Sequence, residues 1–220
     1  MAELGIQPTL DEAPVAGDGH PGARYRLLTR PVVLVGFMGV GKSSVARELA
    51  ALLGRPLVDT DAMVEQAAGC TIGELFAQGE EVFRAREREA VAAALAGPPS
   101  VIALGGGAFS QPGAAEVLLA RALVVNLYMP WRVLREMVPD LAVKRPLLRD
   151  RPIWEVQDLF LARTASYRRA HLRVVLPRRD SAGAAHALAG MLTGGCVPQA
   201  AVPPEPAEPA EPAEPGGEPA

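Results

Sequence analysis

The sequence predicts an α/β fold in which a five-stranded parallel sheet is covered on both faces by helices. Three observations predict it. Short apolar runs of buried-strand character alternate with helical stretches from Val32 to a last helix after Ser181. The first run, Val32-Val33-Leu34-Val35, passes directly into Gly36-Phe37-Met38-Gly39-Val40-Gly41-Lys42-Ser43, a complete G-x-x-x-x-G-K-[ST] phosphate loop that opens a helix. Later runs end in Asp59 and in Gly105-Gly106-Gly107, and the carboxyl ends of parallel strands are where ligands bind.

Each element has its own signal. Val45, Leu49, Leu52 and Leu53 recur at i, i+4, i+7 and i+8, which sets a helix from Lys42 to Leu53 closed by Gly54. Leu57-Val58-Asp59 begins the second strand. Thr71-Ile72-Gly73-Glu74 is a capping box and opens a short helix ending near Gly79. A long helix runs from about Glu80 to Ala96, acidic in its first turn and stopped by Gly97-Pro98-Pro99. Val101-Ile102-Ala103-Leu104 is the third strand, and Pro112 sits where a helix can start. Leu123 to Tyr128 is the fourth strand, followed by a helix from about Pro130 to Met137. Val138 to Arg151 is rich in proline and charge and reads as a loop. A helix then reaches about Ala165, and a fifth strand spans about Arg173 to Leu176.

The two ends differ from this body. Residues 1–29 are mixed, with Gly17-Asp18-Gly19-His20-Pro21-Gly22 in the middle, and read as a flexible extension. Residues 193–220 hold the three-residue repeat Glu205-Pro206-Ala207, which cannot keep a helix ladder and has nothing apolar to pack, so a disordered, extended tail is expected. Five glutamates of that tail account for more than the net charge of −3, which leaves the body slightly basic. That balance argues against broad nucleic-acid affinity. No apolar run reaches membrane-spanning length, and the N-terminus lacks a signal pattern, so a cytoplasmic protein is expected. Cys70 and Cys196 lie far apart, with no zinc-ligand spacing and no disulfide framework.

Several residue sets carry chemistry. In the loop, backbone N–H groups close around phosphate oxygens, Lys42 reaches the β- and γ-phosphates, and the Ser43 hydroxyl sits on Mg²⁺. Asp59 and Asp61, if the chain stays extended, face one side: one carboxylate holds the metal through water, the other orients an acceptor hydroxyl and takes its proton. The alternative is a capping or turn-forming pair. The triple glycine admits a ligand close to the backbone, or is simply a tight turn. Arg84, Arg135, Arg145 and Arg163 stand out by location, and two arginines on a small acid would make the planar bidentate contacts that lysine cannot copy. Singly, each is more often a solvated surface residue. The three histidines show no ligand spacing, and His171 reads as structural.

Assembled, these residues resemble the shikimate kinase family. The motifs that carry the resemblance are Gly36 to Ser44, Asp59-Thr60-Asp61, Phe83-Arg84 with Glu87, Gly105-Gly106-Gly107-Ala108, Arg145-Pro146-Leu147-Leu148, and Arg163 four before Tyr167, in the family's order over about residues 31–192. The resemblance implies a three-layer P-loop kinase fold of the nucleoside-monophosphate-kinase type over 30–192, with a helical substrate-binding region at about 60–96 and a lid at about 138–151. It implies ATP held by Gly39, Gly41, Lys42, Ser43, Ser44, Val45 and Ala46, and Mg²⁺ held by Ser43 with Asp59. Asp61 is then the base, assisted by Lys42 and Arg145; Arg84, Arg163, Gly106 and Asp61 bind shikimate; Arg145 closes over the phosphates, with Arg135 and Arg179 beside adenine. The partners are shikimate and ATP, with no nucleic acid or membrane, and a monomer is expected. Three positions depart from the family pattern: Ser44 stands for the commoner Thr, Ala165 for a Pro, and the stretch from Arg135 to Arg145 is longer. The competing readings are a gluconate kinase-like enzyme, since an acid sugar also needs an arginine clamp, and a non-catalytic nucleotide-binding relative.

Overall fold

The apolar runs pair into one sheet. The computed structural model describes residues 4–8, 29–144, 148 and 151–194. Its strands are β1 (Gly5–Pro8), β2 (Val32–Val35), β3 (Leu57–Asp59), β4 (Val101–Ala103), β5 (Leu123–Tyr128) and β6 (Leu172–Val175). They lie in the order β1-β6-β5-β2-β4-β3. β2 to β6 are parallel, as the alternating pattern requires, with Val32 in register with both Val101 and Leu123. The order reverses about β2, so the crevice for a ligand opens at the carboxyl end of that strand.

The sheet has one strand more than expected. β1 pairs antiparallel with β6 at the edge, Ile6 opposite Val174. It falls within the stretch read as a flexible extension. Four residues with a single branched apolar side chain give no periodicity to detect, and the terminal Pro8 is tolerated because an edge strand need not donate on its outer side. Residues 1–3 and 9–28 lie outside the described residues, as does the Glu-Pro-Ala tail.

The helices are α1 (Lys42–Leu53), α2 (Thr60–Ala68), α3 (Ile72–Gln78), α4 (Glu80–Ala96), α5 (Ala114–Arg121), α6 (Trp131–Leu134), α7 (Val138–Lys144), α8 (Ile153–Tyr167) and α9 (Ser181–Thr193), with short 3₁₀ turns at Ala108–Ser110 and Arg135–Met137. Two of them correct the sequence reading. α2 begins directly after β3, because the Asp59 side chain caps it by accepting from the backbone N–H groups of Asp61 and Ala62. Asp59 and Asp61 are therefore not two positions of one extended strand. α7 occupies the first half of the stretch read as a loop: Pro139 falls in its first turn, where a missing N–H costs nothing.

β2 is buried along its whole length, and α1 and α9 pack together on one face through Val45, Ala46 and Leu49 and through Ala184, Ala185 and Leu188. α2, α3 and α4 hold a second, smaller core of Val64, Leu75, Phe83 and Ala90, in which Phe76 stacks on Phe83 at 4.5 Å. The capping box at Thr71 and Glu74 is formed in both directions. This small helical unit stands beside the sheet's carboxyl edge. Among the described residues, no helix is long and apolar enough to cross a membrane.

Candidate active site

The phosphate loop joins β2 to α1. Gly36 has φ 147°, and a Cβ there would run into the Leu127 carbonyl oxygen, so no other residue fits. The loop turns its own carbonyls onto the lysine: Lys42 Nζ donates to Gly36 O at 2.9 Å and to Phe37 O at 3.2 Å. Ser43 Oγ donates to Asp59 Oδ2 at 2.7 Å. Asp59 thus caps α2 with one carboxylate oxygen and meets Ser43 with the other. Above them opens a cleft of about 690 Å³, lined by Gly39, Gly41, Lys42, Ser43, Ser44, Asp59, Asp61 and Arg179. Met137 at the end of the Arg135–Met137 turn and Asp140, Leu141 and Val143 of α7 close one wall.

A second, narrower pocket of about 50 Å³ adjoins it. It is lined by Asp61, Arg84, Glu87, Gly106, Gly107 and Arg163, with Ile72, Phe76 and Phe83 as the apolar wall. The two cavities share Met38, Asp61 and Gly106. The glycines make room. A Cβ on Gly107 would lie 2.7 Å from Arg84 Nη1 and 3.3 Å from Arg163 Nη2, and one on Gly106 would lie 3.7 Å from Arg163 Nη1 and 3.8 Å from Lys42 Nζ. One Cβ-sized point thus touches a cation of each cavity. Thr60 sets the glycines against α2: its hydroxyl accepts from Gly105 N at 2.9 Å.

The two arginines are held differently. Arg84, 7 % exposed, gives Nη1 to Glu87 at 2.7 Å and Nη2 to Glu80 at 2.9 Å. Burial pulls its pKa down, but the two glutamates outweigh that and the net direction is up. Glu87, 2 % exposed, is pushed up by burial and held against that by Arg84, while the charge of Asp61 adds to the rise. Arg163 is equally buried, yet its Nη1 has no hydrogen-bond partner among the described residues. Burial lowers its pKa, and its guanidinium rests over Phe37 of the loop at 5.8 Å. A buried, unpaired guanidinium is costly to keep unless a ligand supplies the anion.

The family model for shikimate kinase matches residues 38–191. The chain is 36 % identical over 162 residues to the shikimate kinase of Geobacillus kaustophilus, an alignment covering 72 % of this chain and 86 % of that one. The chain belongs to the shikimate kinase family. It is also 43 % identical over 153 residues to the shikimate kinase of Symbiobacterium thermophilum, covering 68 % of this chain and 88 % of the relative. Among solved structures, the shikimate kinase of Acinetobacter baumannii in complex with shikimate superposes with a TM-score of 0.66 at 30 % identity, covering 78 % of this chain and 97 % of that one.

Most residues that the family resemblance singled out come together. Lys42, Ser43, Ser44, Asp59 and Arg179 line the large cleft, Arg84 and Arg163 the small one, and Asp61 and Gly106 both. Val45, Ala46 and Arg135 do not join them, and a fourth, Arg145, is not among the described residues. The side chains of Val45 and Ala46 are fully buried in the core, on the face of α1 that also buries Leu49 and Ala50, and they line neither cavity. Arg135 is exposed on the turn after α6 and lines neither cavity. Met38, Phe76 and the α7 residues were not read as site residues. Met38 stood inside the loop motif as a variable position, and Phe76 had only an apolar helical pattern to mark it.

Proposed function

We propose that the chain transfers the γ-phosphoryl group of ATP to the 3-hydroxyl of shikimate, giving ADP and 3-phosphoshikimate in the cytoplasmic route to chorismate and the aromatic amino acids. One observation carries the reading. The cleft over the phosphate loop and the Arg84–Arg163 pocket meet at Asp61 and Gly106, with Lys42 on one side and on the other the buried Arg163, whose Nη1 has no hydrogen-bond partner among the described residues.

In this reading the amides of Gly39 to Ser44 cradle the nucleotide phosphates, and Lys42 follows the charge on the transferred group. The Ser43 and Asp59 oxygens, 2.7 Å apart at the cleft, are hard donors of the kind Mg²⁺ takes; Ser43 would ligate the ion and Asp59 would hold it through water, which suits an ion that keeps several waters. When bound, the ion supplies neutralisation of phosphate charge. Asp61 accepts the proton of the acceptor hydroxyl as the O–P bond forms. Arg163 and Arg84 hold the acceptor's carboxylate, and Gly106 contacts the ring through its backbone. Arg179 borders the nucleotide, and Arg145 closes over the phosphates. Filling both cavities excludes water, which limits hydrolysis of ATP.

A coupled ADP-release assay with shikimate, with gluconate and without acceptor tests this. Release that requires shikimate is expected. Stimulation by gluconate alone would move the assignment to another acid-sugar kinase, and no acceptor dependence would favour a nucleotide-binding relative.

A further inference from the structure

The peptides of the triple glycine have no side chains to hold them, so each polar group needs a partner or a ligand. Gly105 N–H donates to Thr60, Gly105 O accepts from Ala108 N at 3.1 Å, and Gly107 O accepts from Ser110 N at 3.1 Å. Gly106 O accepts from the hydroxyl of Tyr167 at the end of α8. Among the described residues, nothing accepts from the N–H of Gly106 or Gly107, and both glycines line the Arg84–Arg163 pocket. Tyr167 is 3 % exposed and lines neither cavity, so its hydroxyl draws the Gly106 carbonyl toward the interior.

We propose that Tyr167 is a positioning residue for acceptor binding, whose hydroxyl locks the Gly106–Gly107 peptide with its carbonyl turned away from the pocket and its N–H left for the acid substrate. A trans peptide points its C=O and N–H in opposite directions, so holding one aims the other. Between two glycines that unit flips at little steric cost. A flipped unit would turn a carbonyl oxygen toward the place where a carboxylate is to bind. The ring of Tyr167 packs near Phe109, with centroids 6.2 Å apart, which fixes the hydroxyl's position. Burial pushes the phenol up to about 12, so the hydroxyl remains a donor throughout the working range. Arg163 lies one turn earlier on the same helix, so one helix supplies both a cation of the clamp and the lock on the opposing backbone.

The inference rests on the reading that this pocket takes shikimate, and the test separates the two. Tyr167→Phe removes only the hydroxyl. Its shikimate KM should rise about tenfold, the order of one lost hydrogen bond, with kcat and the ATP KM within about twofold. An unchanged shikimate KM, or an equal rise for both substrates, would overturn the proposal. If the unaltered chain does not use shikimate, the substrate reading fails, and glycine-labelled NMR without ligand still decides the role of Tyr167. Tyr167→Phe should shift or broaden the Gly106 and Gly107 amides and spare those of Gly36, Gly39 and Gly41; unchanged Gly107 signals would contradict the lock. Should Tyr167→Phe not fold, the unaltered chain must show a Tyr167 hydroxyl proton protected from exchange and coupled to the Gly106 carbonyl carbon, and its absence overturns the proposal.

Discussion

The nucleotide half and the acceptor half of this site share Asp61 and Gly106, yet they are built differently. The nucleotide half is a continuous run from Gly36 to Ser44, shaped by backbone, opening into a wide cleft, its lysine steadied by the carbonyls of its own loop. The acceptor half draws Asp61, Arg84, Glu87, Gly106, Gly107 and Arg163 from α2, α4, the glycine turn and α8, and its cations are buried. A backbone site survives many side-chain changes. A dispersed, buried ionic site depends on packing, and there the loss of one partner leaves another charge stranded.

Changing the shared residue should give the largest effect. Asp61→Asn should lower turnover by about 10²–10⁴-fold, the range for losing a general base, while nucleotide affinity stays near that of the native chain. A normal rate would remove Asp61 as the proton acceptor and leave the two halves joined only by geometry.

The arginines sharpen the contrast within the acceptor half. Arg84→Ala strands Glu87, so it should cost stability on the order of 3–5 kcal/mol as well as raise the shikimate KM. Arg163→Ala removes a guanidinium that has an unpaired nitrogen, so its Tm should fall far less, or rise, while the shikimate KM rises at least as much. Thermal melts and acceptor kinetics on both variants check this. Equal losses of Tm would show that the two cations play one structural part.

How far the sequence led follows the same division. The phosphate loop, the capping box at Thr71 and the helix from Glu80 to Ala96 are local patterns, and the structure has them where the residues said. α2 falls within the helical region at about 60–96 that the family resemblance implied, but no local pattern fixed its start, because Asp59 reads equally as a strand end and as a cap until its neighbours are seen. β1 escaped because an edge strand of four residues leaves no period. α7 was hidden by Pro139, which looks like a breaker but sits in a first turn. Val45 and Ala46 were placed at the nucleotide by position alone, and their side chains belong to the core face of α1, so any part they take there falls to their backbone. The convergence of Arg84 with Arg163 came from motif resemblance, as nothing local in either segment announces it.

The smallest expected effect lies far from both halves. His171 Nδ1 accepts from Val124 N at 3.0 Å, which requires the neutral ring, and burial, with the charge of Arg30 in addition, lowers its pKa. The unfolded chain therefore takes up that proton near pH 6.5 before the folded chain does. The stability due to neutral His171 is complete above about pH 6.5 and is lost as pH falls through the lower folded value. The drop in Tm between about pH 7.5 and 5.5 should accordingly be smaller in His171→Gln than in the native chain, with shikimate and ATP kinetics untouched. An identical drop in both would show that this bond does not link folding to protonation.

The central claim is that one half of the site holds nucleotide and the other a carboxylic acid, through different residues. Calorimetric titration of shikimate and of a non-hydrolysable ATP analogue into Lys42→Met and Arg163→Ala tests it most directly. The account predicts that Lys42→Met loses the nucleotide and keeps shikimate, and that Arg163→Ala does the reverse. Shikimate binding to Arg163→Ala with native affinity would contradict it.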